Sequence, residues 1–139
     1  MGKEQAGARR WSADWINALP RSQRKSLLES LSEEEAEALL AWPYQARDAQ
    51  LPPAGNWRIW LFLGGRGAGK TRAGAEWVAQ RVAEGAAARI GLIGATMRDA
   101  RQVMVEGQSG LLNVVDGLTF EPSNSRVLWP GGAVASLLS

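Results

Sequence analysis

Apolar positions recur at two different spacings along the chain, and the change of spacing divides it. Up to residue 50 the intervals are helical. Trp11, Trp15 and Leu19 fall at i, i+4 and i+8, and Pro20 stops that segment. Ser22 is placed to cap a second helix through Leu27, Leu28 and Leu31. Ser32-Glu33-Glu34-Glu35 spells a capping box, whose acidic first turn suits the positive end of a helix dipole. The helix it opens runs through Ala36, Leu39, Leu40 and Trp42 to Pro43. Residues 1–10 are small and polar and read as a frayed end. Leu51-Pro52-Pro53-Ala54-Gly55 is a turn or linker, and it separates a helical segment, 1–50, from a second segment, 51–139.

The second segment is patterned differently. Ile59-Trp60-Leu61-Phe62-Leu63 is a continuous apolar run, as in a strand buried on both faces. A glycine-rich turn follows, then a helix from about Lys70 to Glu84 with Ala75, Val78 and Val82 facing inward. Ile90-Gly91-Leu92-Ile93-Gly94-Ala95 predicts a second buried strand. Thr96 and Asp99 are placed to cap the next helix, which carries Ala100, Val103 and Met104. Strand, turn, helix, strand, helix opens an α/β fold with a parallel sheet. The tail alternates around Pro122-Ser123-Asn124-Ser125 and Pro130-Gly131-Gly132, which predicts an antiparallel hairpin or meander appended to that sheet.

Composition narrows the chemistry. The 139 residues are 45% apolar and 22% charged, enough for one globular core. There is no Cys and no His, so disulfides, thiol chemistry, Cys/His zinc sites and imidazole catalysis are excluded. No apolar run approaches membrane-spanning length, and the start of the chain shows no secretory pattern, so neither a membrane partner nor a secretory signal is expected. Of the 16 cations 13 are Arg, the better bidentate partner for phosphate. That permits an anionic ligand without identifying one.

The glycine-rich turn identifies a ligand class. Gly64-Gly65-Arg66-Gly67-Ala68-Gly69-Lys70-Thr71 matches G-x-x-x-x-G-K-[ST], between a predicted strand and a predicted helix. Glycines let successive backbone N–H groups turn inward around phosphates, and the helix start adds unpaired donors and a positive dipole end. Lys70 is placed to reach the β- and γ-phosphates of ATP, and the Thr71 hydroxyl to ligate Mg²⁺. Arg66 lies inside the loop. Its guanidinium either neutralises charge on the γ-phosphate as a built-in arginine finger, or simply faces solvent or an acidic neighbour. Tyr44-Gln45, upstream, can stack on an adenine and read its edge, although taken alone a surface Tyr-Gln is more often unconnected with a ligand. Hydrolysis also needs a carboxylate at the end of another strand. Only Asp116 follows an apolar stretch, and Asn113 and Gly117 flank it in ways that do not suit a metal-site strand.

Beyond the loop, Arg72-Ala73-Gly74-Ala75-Glu76-Trp77 continues a pattern that, with Trp42-Pro43-Tyr44-Gln45 upstream and Arg126-Val127-Leu128-Trp129-Pro130-Gly131-Gly132-Ala133 downstream, resembles the large terminase subunit of tailed phages, in its prophage and gene-transfer-agent branch. The resemblance covers roughly residues 40–139. It implies a P-loop NTPase of the additional-strand class, an ATPase motor that moves double-stranded DNA into procapsids, and a nuclease in a further C-terminal domain. It implies that Lys70 and Thr71 hold ATP and Mg²⁺, with Arg66 at the family's loop arginine, Gln45 at its adenine-contacting position and Arg72 beside the nucleotide. It also implies partners: a small terminase subunit, a portal protein and further copies in a ring on the portal. The family's Asp-Glu strand is not found before Ser139, so the chain is expected to be an N-terminal fragment with an incomplete sheet, binding ATP without turning it over. Two other readings compete: another P-loop ATPase such as a helicase-like protein, and a non-catalytic piece whose N-terminal helices bind the small terminase or portal.

Overall fold

A computed structural model describes residues 13–139. The chain divides into two compact units, Met1–Phe62 and Leu63–Ser139. Trp11 and residues 1–10, for which a helical stripe and a frayed end are expected, lie outside the described residues.

The first unit contains helices α1 (Ala13–Ala18), α2 (Arg21–Ser30), α3 (Glu33–Ala38) and α4 (Trp42–Gln45). The capping box forms as predicted: Glu35 N donates to Ser32 Oγ at 3.2 Å, and Ser32 N donates to Glu35 Oε2 at 2.9 Å. Ser22 does not cap α2. The helix starts at Arg21, two residues earlier than a Ser22 cap would put it, after Pro20, whose fixed φ of −52° leads into it without any side-chain cap. The carbonyls at the end of α1 are taken up by Arg24, which donates to Ile16 O, Asn17 O and Leu19 O. The third helix is shorter than predicted. It ends at Ala38, and Pro43 sits in the first turn of a separate helix, where a missing N–H costs nothing.

The run at 59–63 forms no strand. It has no ladder partner among the described residues, and Ile59, Leu61 and Leu63 are 86, 74 and 78% exposed. Trp60 and Phe62, two positions apart, stack at 6.1 Å between ring centroids. An apolar run is a strand only where another backbone offers hydrogen bonds, and among the described residues none is paired with it.

The second unit holds a four-stranded sheet of β1 (Arg89–Ile93), β2 (Thr119–Glu121), β3 (Arg126–Leu128) and β4 (Val134–Leu138), in the order β1-β4-β3-β2. β1 and β4 run parallel, with Ile93 opposite Leu138, while β4-β3 and β3-β2 are antiparallel. The sheet is therefore mixed, where a parallel one was expected. The predicted tail meander is present, but its last strand pairs with β1 and thereby becomes interior to the sheet. Helix α5 (Lys70–Ala83), the short α6 (Met97–Asp99), a π-helical turn (Ala100–Val105) and α7 (Leu111–Val114) complete the unit.

Strand alternation decides the core. Leu92, Ala135, Leu137 and Val127 point to one face and are buried with Ala75 and Val78 of α5, Val105 of the π turn and Leu111 of α7. On the opposite face Ile93 is 68% and Leu138 47% exposed. β1 is thus buried on one face only, not on both as its apolar run suggests.

Candidate phosphate-binding loop

The loop at 64–69 lies wholly in the second unit and feeds α5. Gly67 has φ +79°, and Gly69, the N-cap of α5, has φ +79° and ψ 22°. Both are left-handed, a region that a side chain makes strained, so glycine at these two positions is a backbone requirement. Between them the chain reverses tightly, with Ala68 N donating to Gly65 O at 3.3 Å. A Cβ placed on Gly65 or Gly67 would meet nothing within 4 Å, so the space above the loop is open.

Lys70 is exposed, and its Nζ donates to Gly64 O and Gly65 O, both at 2.7 Å. The first turn of α5 holds no acidic residue. Lys70, Arg72 and the unpaired N–H groups of the helix start concentrate positive potential there. Arg72 reaches forward to Glu76, with Nη2 at 2.6 Å and Nε at 2.8 Å from Oε1, so that cation is shared with the helix face. Thr71 is half-buried. Arg66 is exposed in the turn and has no hydrogen-bond or ion-pair partner among the described residues.

A cleft of about 390 Å³ adjoins this region. Lys70 and Thr71 contribute to its wall, but the rest is apolar: Ala75, Trp77 and Val78 of α5, Leu92 and Ile93 of β1, and Val103 and Met104 of the π turn. None of residues 64–69 lines it. Such walls cannot solvate phosphate oxygens, so the cleft is a feature distinct from the loop surface.

The other expected site residues belong elsewhere. Tyr44 and Gln45 lie on α4 in the first unit, Tyr44 half-buried, with Gln45 Nε2 donating to Leu40 O at 2.9 Å. Asp116 is exposed in a turn after α7, so the stretch before it is a short helix and ends no strand. Among the described residues no group of three or more Asp or Glu could hold a metal ion. The bonds from Lys70 to its own loop were not foreseen, because nothing in a motif states where an ammonium rests.

A sequence model of one protein family, described as the N-terminal part of the terminase large subunit of T4-like viruses, matches residues 61–139. No curated protein and no solved structure matches the chain. Among the described residues, no helix is long and apolar enough to cross a membrane.

Proposed function

The chain belongs to the large terminase subunit family, whose role is in phage DNA packaging, and on that premise we propose that it carries the ATP-binding part of a packaging motor. The observation that carries this reading is the loop at 64–69 set on the start of α5, with left-handed Gly67 and Gly69 and the Lys70 ammonium beside it. The residues fit a nucleoside triphosphate with Mg²⁺. The open space over Gly65 and Gly67 admits phosphate oxygens to the backbone donors, and no acidic side chain in the first turn of α5 opposes them.

In this reading Lys70 would offer an N–H to a phosphate oxygen, and Thr71 would offer its hydroxyl to Mg²⁺. The bound nucleotide supplies a phosphoanhydride whose cleavage drives movement. Arg66, exposed and without a partner among the described residues, is the proposed source of a guanidinium for the charge that would develop as that bond broke. Gln45, with Tyr44, is the proposed base contact. Its carboxamide oxygen accepts no hydrogen bond among the described residues and is available to a base edge. Hydrolysis requires a carboxylate to orient water, and the first turn of α5 carries none. The proposal for this chain is therefore binding without turnover. The remaining parts of the reading are double-stranded DNA as cargo, a small terminase subunit and portal as partners, a ring of copies on the portal, and the host cytoplasm as location.

The test is calorimetry of Mg·ATP binding to the 139-residue chain, beside phosphate release, with Lys70→Ala as control. Binding that the substitution removes, without phosphate release, is the expected result. Equal binding in both proteins would refute the loop assignment. Turnover that depends on Lys70 would refute the binding-only proposal and direct attention to Asp116.

A further inference from the structure

Residues 115–118 join α7 to β2, and two adjacent groups in this turn have no partner. Asp116 and Gly117 are both exposed. Among the described residues the Asp116 carboxylate accepts no hydrogen bond and forms no ion pair, and the Gly117 N–H donates to no acceptor. Gly117 has φ +74°, a left-handed conformation that favours glycine. A Cβ there would lie 3.5 Å from Pro130 Cγ, an ordinary contact, so the demand for glycine comes from the backbone and not from crowding. The turn therefore keeps a free carboxyl beside an amide that no side chain shields.

The other aspartates and asparagines lack this combination, and none of them precedes a glycine. Asp99 Oδ2 accepts from Thr96 Oγ1 at 2.8 Å, and the next amide, Ala100 N, donates to Thr96 O at 3.0 Å. Asn124 Nδ2 donates to Glu121 Oε2 at 2.9 Å, and Ser125 N donates to Pro122 O at 3.2 Å. Asn113 lies within α7, with Nδ2 donating to Gly107 O at 3.0 Å.

We propose that Asp116-Gly117 is a self-modifying site, where the folded protein converts an aspartyl into an isoaspartyl linkage through a succinimide. The Gly117 nitrogen attacks Cγ of the protonated Asp116 carboxyl. The N–Cγ bond forms, the bond from Cγ to its hydroxyl breaks, and the amide proton departs with that hydroxyl as water. A water then adds to one of the two imide carbonyls. Addition at Cγ, with cleavage of N–Cγ, restores aspartate. Addition at the backbone carbonyl carbon, with cleavage of its bond to nitrogen, leaves the chain running through Cγ and a carboxylate on Cα. One water leaves and one returns, so no oxidant, reductant or cofactor is needed and the mass is unchanged.

The fold sets the consequence. Val115 and Leu118, on either side of the pair, pack against the core cluster, so both ends of the turn are anchored. The isoaspartyl linkage inserts one further atom into the backbone between those anchors. A close-packed core passes that extra length on as strain, and the modified protein is less stable.

The experiment incubates the full chain at neutral pH, both folded and in urea. Isoaspartate is read by methyl transfer from labelled S-adenosylmethionine, using a purified isoaspartyl methyltransferase, and is located by peptide mapping. The expected result is label at residue 116 in the folded chain, accumulating about as fast as in urea. The label is lost in Asp116→Glu, whose longer side chain must close a larger ring. Label that appears only in urea would overturn the proposal, because the folded turn would then protect the pair. Label that persists in Asp116→Glu would place the reaction elsewhere and overturn it too. Melting curves of the aged and fresh proteins test the consequence separately. A midpoint that falls as label accumulates supports the strained turn, and an unchanged midpoint overturns that part.

Discussion

Arg101 grips Glu106 through both carboxylate oxygens, with Nε at 3.0 and 3.1 Å and Nη2 at 2.9 Å, although five positions separate them. On an α-helix residues i and i+5 face apart. The π-helical turn Ala100–Val105 closes i to i+5 and brings them together. The same guanidinium lies 5.4 Å from the centroid of Phe120, which ties the turn to β2. Hydrogen bonding to Glu106 and its negative charge hold the Arg101 pKa above its ordinary value. Arg101→Ala should lower the thermal midpoint, and Glu106→Gln should add little in that background, because both remove one pair. Both side chains are well exposed, so the effect should shrink in high salt. Differential scanning calorimetry of the four-protein cycle at two salt concentrations checks this.

Gly110 and Gly74 predict opposite outcomes for one substitution. A Cβ on Gly110 would lie 2.5 Å from Val105 O and 2.8 Å from Val105 C, both backbone atoms of the π turn. Gly110→Ala should cost about 3 kcal/mol or more, since nothing there can move cheaply. Gly74 is in the interior of α5 with nothing within 4 Å of its Cβ position, and Gly74→Ala should stabilise by about 0.5–1 kcal/mol. Urea unfolding of both variants measures the two signs.

Glu121 accepts from Asn124 Nδ2 at 2.9 Å and from Arg126 Nε at 2.6 Å, across the turn joining β2 and β3. These contacts, Asn124 first and then Arg126, pull its pKa below the usual carboxylate value. A carboxyl depressed in the folded state stabilises above its unfolded pKa, and that stability is lost as pH falls through the folded pKa. Glu121→Gln should therefore lower the thermal midpoint at neutral pH and lose less on acidification. The gap between the two proteins should close below about pH 4. Melting curves from pH 7 to pH 3 would show two parallel lines if Glu121 has no part in this.

Under the proposed function Arg66 and Gln45 separate by the quantity each changes. Arg66→Ala should leave Mg·ATP affinity within a few-fold, because a charge aimed at the breaking bond is worth most in the transition state. In a full-length terminase carrying this segment it should reduce hydrolysis by roughly 100-fold or more. Gln45→Ala should instead reduce the preference for ATP over GTP. Competition calorimetry and phosphate release distinguish the two effects, and equal losses in binding and hydrolysis for Arg66→Ala would make it a ground-state contact.

The run at 59–63 presents five apolar residues without charge or proline, and three of them are largely exposed. An exposed segment of this composition with no ladder partner is a template for pairing between chains. The 139-residue protein should self-associate with rising concentration, and Leu61→Lys should suppress it. Sedimentation velocity over a range of concentrations tests this.

Features that depend on neighbours a few residues away were legible in the order of residues alone. The capping box at Ser32, the extent of α5 with Ala75, Val78 and Val82 inward, and the reversal through Gly67 and Gly69 are local, because helix caps and glycine dihedrals are settled within one turn of chain. The candidate loop was legible for the same reason, since its glycines and Lys70 are contiguous in the chain. Features that depend on partners distant in sequence emerged only on folding. The residues at 59–63 and 89–93 carry the same apolar signal, yet β1 found a parallel neighbour 45 positions later in β4, Arg89 opposite Val134, and the other run has no ladder. Burial followed from which face α5 and α7 cover, so Leu92 is in the core and Ile93 is not. The π turn was equally unreadable: its i to i+5 pairing matches neither the helical nor the strand period, and the clash between Gly110 and Val105 exists only once the chain has folded back on itself.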